Sequence, residues 1–354
     1  MEAVLTRWRE IVQAASANRT GLRLRGGGSK DFYGEPATGE LFDTRDYRGI
    51  VGYEPTELVV TARCGTPLAE LEAALAERGQ MLAFEPPGFG DATVGGCLAA
   101  GLSGPRRAQA GPLRDFVLGT RLMDGRGRIM EFGGQVMKNV AGYDISRLLA
   151  GSMGILGLVL EVSFKVLPRP IRETSLRLSL SQEEALTAVT RWRRQPLPVS
   201  ATAWEGGELT VRLSGAEAAV ATAARTLGGT ILEDREGERF WRDLREQQLA
   251  FFGNGDVPLW RISVPANTGA LPIEAADILL EWHGTQRWLR TDMPAREVRL
   301  LAREAGGHAT LFRGGERADI FEPLPEPVMA LHQRLKAQFD PDGIFNPGRL
   351  YRDL

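Results

Sequence analysis

Residues 84–168 constrain this chain more than any other part of it. They read FEPPGFGDATVGGCLAAGLSGPRRAQAGPLRDFVLGTRLMDGRGRIMEFGGQVMKNVAGYDISRLLAGSMGILGLVLEVSFKVLP. Thr93, Gly95, Gly96, Gly101, Ser103 and Gly104 crowd into one short span with almost no bulky side chain among them. Such a span lets backbone N–H groups approach something large and anionic. A second cluster, Gly151, Gly154 and Gly157, ends where Leu160, Val162, Phe164 and Val166 alternate with Glu161, Ser163 and Lys165. That alternation has the period of a half-buried strand. Any one of these glycines could simply make a turn, but turns do not require so many without polar partners between them. The set predicts a pocket for a pyrophosphate-containing ligand.

An earlier stretch points the same way. Leu22–Arg25 reads as a short strand and runs directly into Gly26, Gly27, Gly28, Ser29 and Lys30. Consecutive free N–H groups after a strand can wrap an oxyanion. The dinucleotide spacing G-x-G-x-x-G fails here, because Asp31 stands where the third glycine would be. A Walker loop fails too, since the chain contains no Gly-Lys dipeptide.

Composition narrows the class. A length of 354 residues suggests two domains, and a formal charge of −2 argues against a nucleic-acid surface. Two cysteines, Cys64 and Cys97, give neither a disulfide framework nor metal-ligand spacing. The three histidines, His283, His308 and His332, form no local metal motif, so no metal site and no iron–sulfur cluster are expected in this chain. The N-terminus lacks an apolar signal core, and the longest apolar stretch, 148–160, is too short to span a bilayer. The expected location is the cytoplasm, or the inner membrane surface through partner subunits.

Val4, Leu5, Trp8, Ile11, Val12 and Ala15 recur at helical spacing and predict an opening amphipathic helix. A strand over 58–64 leads to a helix with Thr66 as cap, Pro67 at its first position and Gly79 at its end. Strands 117–123 and 128–132 flank the turn Asp124–Gly127. Beyond Pro168–Pro170 the glycine clusters thin out. Strands are expected at 175–180, 258–264 and 308–313, a hairpin at 199–213, and helices at 182–194, 215–227 and 294–305. The tail FDPDGIFNPGRL, 339–350, carries Phe339, Ile344, Phe345 and Leu350 and is expected to pack rather than dangle.

These motifs, in this order, resemble the FAD-binding fold of the vanillyl-alcohol oxidase type, also called the PCMH-type domain. RGGGSK at 25–30 is similar to that family's first phosphate loop, and PPGFGDATVGGCLAAGLSG at 86–104 to its second. KNVAGYD at 138–144 and the stretch 148–168 resemble the part that closes over the isoalloxazine, and the tail resembles the segment that returns to the ring. Within the family, RGGGSKDFYG, DTRDYRGIV, PTELVVTARCGTPLAELEAAL and GGQVMKNVAGYDISRLLAGS look most like the FAD-binding subunits of bacterial glycolate oxidases.

The resemblance implies an α+β fold: a PCMH-type two-part FAD-binding domain over 1–168, a smaller α+β cap domain over 171–335, and a C-terminal segment, 336–354, returning to the flavin. It implies noncovalent FAD, held by Arg25, Gly26, Gly27, Gly28, Ser29, Lys30, Pro87, Gly88, Thr93, Gly95, Gly96, Gly101, Ser103 and Gly104. Asn139, Gly142, Tyr143, Asp144, Gly154, Gly157, Val159 and Asn346 would surround the ring. It further implies partners, a larger related flavoprotein subunit and an iron–sulfur subunit, which together oxidise glycolate, or a related 2-hydroxy acid, to glyoxylate. One departure stands out. The late histidine-containing motif by which the family's 2-hydroxyacid dehydrogenases bind metal and substrate has no counterpart in GGHATLFRGG at 306–315, so no catalytic residue is assigned. A scaffold subunit without its own redox role, and a self-sufficient FAD-dependent 2-hydroxyacid oxidoreductase, are the other readings.

Several residues carry two readings. His308 with Arg313 could form a base and carboxylate clamp, or be a strand start and a surface arginine. Asp144 could meet the flavin ribose or cap a helix over 145–150. Arg106 and Arg107 could meet phosphates, a partner or only solvent. Cys97 reads as a small buried filler. Trp192, Trp204, Trp241, Trp260, Trp282 and Trp288 read as core or interface residues.

Overall fold

The computed structural model describes residues 1–134, 143–253, 256–274 and 277–354. The chain forms two compact units. The first comprises Met1–Leu102, Pro112–Pro168 and Pro323–Leu354; the second comprises Ser103–Gly111 and Arg169–Glu322. The segment 103–111, expected with the glycine loops, thus belongs to the second unit, and the C-terminal return begins near 323 rather than 336.

The first unit opens with helix Glu2–Asn18, which buries Leu5, Trp8, Val12 and Ala15 and leaves Ile11 partly exposed. Trp8 packs edge-on to Phe42 at 5.3 Å, tying the helix to the parallel pair Leu22–Arg25 and Glu40–Asp43. A five-stranded antiparallel sheet carries the rest, in the order Ile50–Glu54, Val59–Arg63, Leu158–Lys165, Val117–Met123 and Ile129–Gly133. Strand Leu158–Lys165 is central, with Leu160, Val162 and Phe164 wholly buried. Helix Leu68–Ala76 starts one residue later than its sequence suggests. Pro67 takes the cap position, and the Thr66 hydroxyl instead accepts from the Gly49 N–H at 2.8 Å. The competing loop contact wins because it satisfies a donor that would otherwise lack a partner.

The C-terminal tail is built into this unit. Helix Glu326–Phe339 ends at a buried ion pair in which Lys336 Nζ meets Asp340 Oδ2 at 2.7 Å and donates to the carbonyls of Ile155 and Phe345. Asp340 in turn accepts from the N–H groups of Ile344 and Phe345. Every charge in the cluster has hydrogen-bonding partners, the condition under which a buried pair is tolerated.

The second unit is an α+β sandwich. Its eight-stranded antiparallel sheet runs Thr230–Ile231, Arg172–Ser179, Glu208–Gly215, Val199–Glu205, Ile278–Glu281, Gln286–Arg290, Leu259–Ser263 and His308–Arg313. Helices Gln182–Trp192 and Glu217–Leu227 cover Leu176, Trp204, Val211 and Leu280, and helix Ala295–Glu304 covers Trp260, Ile262 and Leu311. A capping box at Ser181 and Glu184 starts the first of these helices. Helix Asp234–Arg245, two-residue strand Thr230–Ile231 and strands Ile278–Glu281 and Gln286–Arg290 were not anticipated. Trp192, Trp204, Trp241, Trp260, Trp282 and Trp288 are all buried, so none of the six offers itself as an exposed partner contact.

Candidate functional site

The glycine loops of the first unit meet at one pocket. Leu22 donates to Ile344 O and Asn346 donates to Leu22 O, so strand Leu22–Arg25 lies against the returning tail. The loop after the strand, 26–30, faces Thr93, Gly95 and Gly96 from the second loop and Gly154, Gly157 and Val159 from the third cluster. Arg25, Lys30 and Asn346 complete the expected members of the lining.

The glycines have different reasons to be glycine. A Cβ on Gly27 would lie 1.4 Å from the Asp91 carbonyl oxygen, and one on Gly26 would lie 2.2 Å from Thr93 Oγ1. These two permit one loop to press on the other. Gly28 adopts a φ of 75°, which favours glycine outright. Gly96 differs from all three: its Cβ would meet only Thr93 Oγ1, at 3.3 Å, so its smallness keeps the pocket open.

Donors are distributed less evenly than the sequence suggests. Among the described residues, the N–H groups of Gly27, Gly28 and Ser29 meet no acceptor of the chain, which leaves three consecutive amides for an oxyanion. The second loop is the correction. Val94 donates to Thr66 O, Gly95 to Cys64 O, and Gly96 to the side chain of Thr93, which caps helix Val94–Ala100. These amides already have acceptors, so residues 94–96 supply wall and space, not free donors.

Positive charge gathers at the same end. Arg25, Lys30 and Arg349 line the pocket with Asp31. The Arg25 guanidinium pairs with Asp31 at 2.7 Å, and Lys30 Nζ donates to Gly88 O at 3.1 Å. Arg349 donates to the carbonyls of Glu35, Lys30 and Asp31 and so braces the glycine loop from behind. Cys64 and Cys97 are buried, and burial pushes both thiols up to about 12, where they are inert packing groups.

Asn346 lines the pocket, but its amide is occupied by the fold. Its Oδ1 accepts from Leu24 N and its Nδ2 donates to Met153 O, both at 2.7 Å. Holding strand, loop and tail together is its evident task, and the polarity it can lend a ligand is what those bonds leave over.

Other expected members fall elsewhere. Tyr143 is 94% exposed, and Asp144 caps helix Ile145–Leu148 by accepting from Arg147 N, so neither lines the pocket. Pro87 and Gly101 also lie off the lining; Gly101 instead approaches Gly151 so closely that a Cβ would sit 2.7 Å from its backbone. Gly88 lies off the lining and accepts from Lys30 Nζ. Ser103 and Gly104 belong to the second unit, and Asn139 and Gly142 lie outside the described residues. Arg106 is buried against Glu173, and Arg107 stacks 4.3 Å over the Trp282 ring; they anchor the segment 103–111 within the second unit. His308 and Arg313 stand at opposite ends of one strand, about 16 Å apart at about 3.3 Å per residue, and Arg313 donates to Gln247. They form no clamp.

Sequence reasoning missed Arg349, Asp31, Thr44 and Met153 in the lining. Arg349 could have been found, since it lies in the tail motif beside Asn346. Met153 and Thr44 carry no chemical signal of their own and enter through backbone position.

Residues 7–133 match the family model described as FAD binding domain. The pocket fits that cofactor by its own features: three free consecutive amides, surplus positive charge, and a wall kept open at Gly96. Over its whole length the chain is similar to the glycolate oxidase subunit GlcE of Escherichia coli, with 49% identity covering 98% of this chain and 97% of that one. A D-lactate dehydrogenase of Archaeoglobus fulgidus is 31% identical over 54% of this chain and 43% of its own. The glycolate oxidase subunit GlcD of Bacillus subtilis is 29% identical over 47% and 36%. Among solved structures, alkyldihydroxyacetonephosphate synthase superposes with a TM-score of 0.67 at 16% identity, covering 96% of this chain and 74% of the other, which supports the PCMH-type fold alone. The chain belongs to the FAD-binding oxidoreductases, in the family of the glycolate oxidase subunit GlcE.

Proposed function

We propose that the chain is the FAD-binding subunit of a complex that oxidises glycolate to glyoxylate. The observation that carries this reading is the end-to-end likeness to a glycolate oxidase subunit, joined to a pocket whose free amides suit a pyrophosphate. The N–H groups of Gly27, Gly28 and Ser29 would hold the phosphates, with Arg25 and Lys30 offsetting their charge. The space at Gly96 and the wall formed by Gly154, Gly157 and Val159 would receive the remainder. Bound FAD supplies two-electron redox chemistry, and the protein contributes binding, orientation and electrostatics.

The partners in this proposal are a larger related flavoprotein subunit and an iron–sulfur subunit that takes the electrons onward. No helix among the described residues is long and apolar enough to cross a membrane. The absence of a late histidine motif favours a division of labour in which substrate oxidation needs the partner subunit.

The test is the anaerobic visible spectrum of the purified chain before and after glycolate, alone and with the partner subunits. Flavin bands that bleach only in the complex support the proposal. Bands that bleach in the isolated chain favour a self-sufficient oxidoreductase. No bands, even after FAD is supplied, would leave a scaffold subunit and end the flavin assignment.

A further inference from the structure

The second unit contains a cleft that the flavin reading does not use. Between strands Ile278–Glu281 and Gln286–Arg290 the backbone turns through three consecutive residues of positive φ: Trp282 at 51°, His283 at 56° and Gly284 at 82°. Only the last is a glycine, and the left-handed region is unfavourable for the other two. The surroundings hold them there. Trp282 Nε1 donates to Gly104 O at 3.0 Å, the Arg107 guanidinium covers the indole, and Thr285 Oγ1 donates to Trp282 O at 2.8 Å. The His283 N–H donates to Thr202 Oγ1 at 3.0 Å. An over-determined, unfavourable backbone of this kind is a recurrent mark of a functional position.

Its effect is to set the His283 ring into a cleft of about 220 Å³ lined by Val189, Trp192, Val199, Arg193 and Gln109. Ring nitrogen Nε2 is buried and meets no partner among the described residues. Burial first, and the nearby Arg193 charge second, pull the ring down to about 4, so the imidazole is neutral at physiological pH. Arg193 itself has no carboxylate partner among the described residues.

A guanidinium, a neutral imidazole nitrogen and an apolar wall complement one kind of ligand. The guanidinium takes a carboxylate through charge-assisted hydrogen bonds. The imidazole nitrogen offers a further hydrogen bond without adding charge. Val189, Trp192 and Val199 receive an apolar body. A cation would be repelled by Arg193, and a single guanidinium offsets only one of the roughly two charges of a phosphate monoester. A cleft of about 220 Å³ has room for a small organic acid.

We propose that the cleft beside His283 is a second binding site of this chain, taking a small carboxylic acid with an apolar body. It shares no residue with the glycine-lined pocket and does not depend on the flavin reading.

The test uses NMR of the full chain with ring-labelled histidine, since there are only three, and H283Q assigns the signal. Titration with benzoate should move the His283 signal saturably and leave His308 and His332 in place. Benzamide, of the same shape without the charge, should bind about tenfold more weakly or worse, and R193Q should weaken benzoate similarly. Arg193 is exposed, so its replacement leaves packing intact. No saturable shift, equal binding of benzamide, or an unchanged R193Q would each overturn the proposal.

Discussion

The side-chain oxygen of Asn346 accepts the backbone N–H of Leu24 at 2.7 Å, across 322 residues of chain. The other end of the same amide donates to Met153 O. One side chain thus fixes strand Leu22–Arg25, the glycine cluster near 154 and the C-terminal tail in a common frame. The pocket is assembled from segments far apart in sequence, and this amide is where three of them are joined. Asn346 sits at a φ of 43°, a conformation that asparagine tolerates better than most residues.

Asn346→Ala removes both bonds and leaves a buried carbonyl and a partly buried N–H unsatisfied. At about 1–3 kcal/mol each, the loss lowers the melting temperature and weakens flavin retention together. Asn346→Asp separates the two bonds: it keeps the acceptor for Leu24 but turns a carboxylate oxygen toward the Met153 carbonyl. It should be at least as damaging as alanine at neutral pH. Thermal melts with and without added FAD measure both effects, and a wild-type melt for either variant would refute this account of the joint.

Gly27 and Gly96 separate packing from ligand space. Gly27→Ala drives a methyl into the Asp91 carbonyl, so it should destabilise the chain by about 1–3 kcal/mol even without flavin. Gly96→Trp meets nothing of the protein at its Cβ beyond Thr93 Oγ1 and fills the pocket instead. It should leave an apoprotein that folds and melts near the wild-type apo temperature but retains no flavin. Absorbance of the purified variants reads the flavin, and circular dichroism reads the fold. A fully flavinated Gly96→Trp protein would mean that the ligand does not occupy this wall.

The sequence made the loops legible because glycine runs without bulky side chains let backbone segments approach closely, and it made the strands legible through their alternation. It did not reveal which amides are free. Gly95 and Gly96 look as available as Gly27 and Gly28 until Cys64 O and Thr93 Oγ1 are seen to accept from them. Hydrogen-bond satisfaction is a tertiary property, settled by residues far from the loop. Strands Ile278–Glu281 and Gln286–Arg290 escaped for a related reason. Arg287 lies fully buried on the core face, held by the carbonyls of Thr268, Gly269 and Gly284, and it breaks the apolar alternation that would have announced a strand. His308 and Arg313 show the opposite failure, in which residues suited to one chemistry are held at the two ends of one strand.

His283 gives the chain an acid limb that can be assigned. Its ring titrates near 4 in the folded chain, pulled down by burial and then by Arg193, against an ordinary value of 6.5. The unfolded chain therefore takes up this proton at higher pH than the folded chain does. The stability held in the neutral ring is complete above about 6.5 and drains away as pH falls toward 4, by about 3 kcal/mol in all. His283→Gln keeps a polar side chain of similar reach but cannot titrate, so its stability should fall less steeply over that window. Urea unfolding at a series of pH values measures the two slopes. Parallel slopes would mean that the His283 ring is solvated in the folded chain, and that the cleft does not hold it neutral.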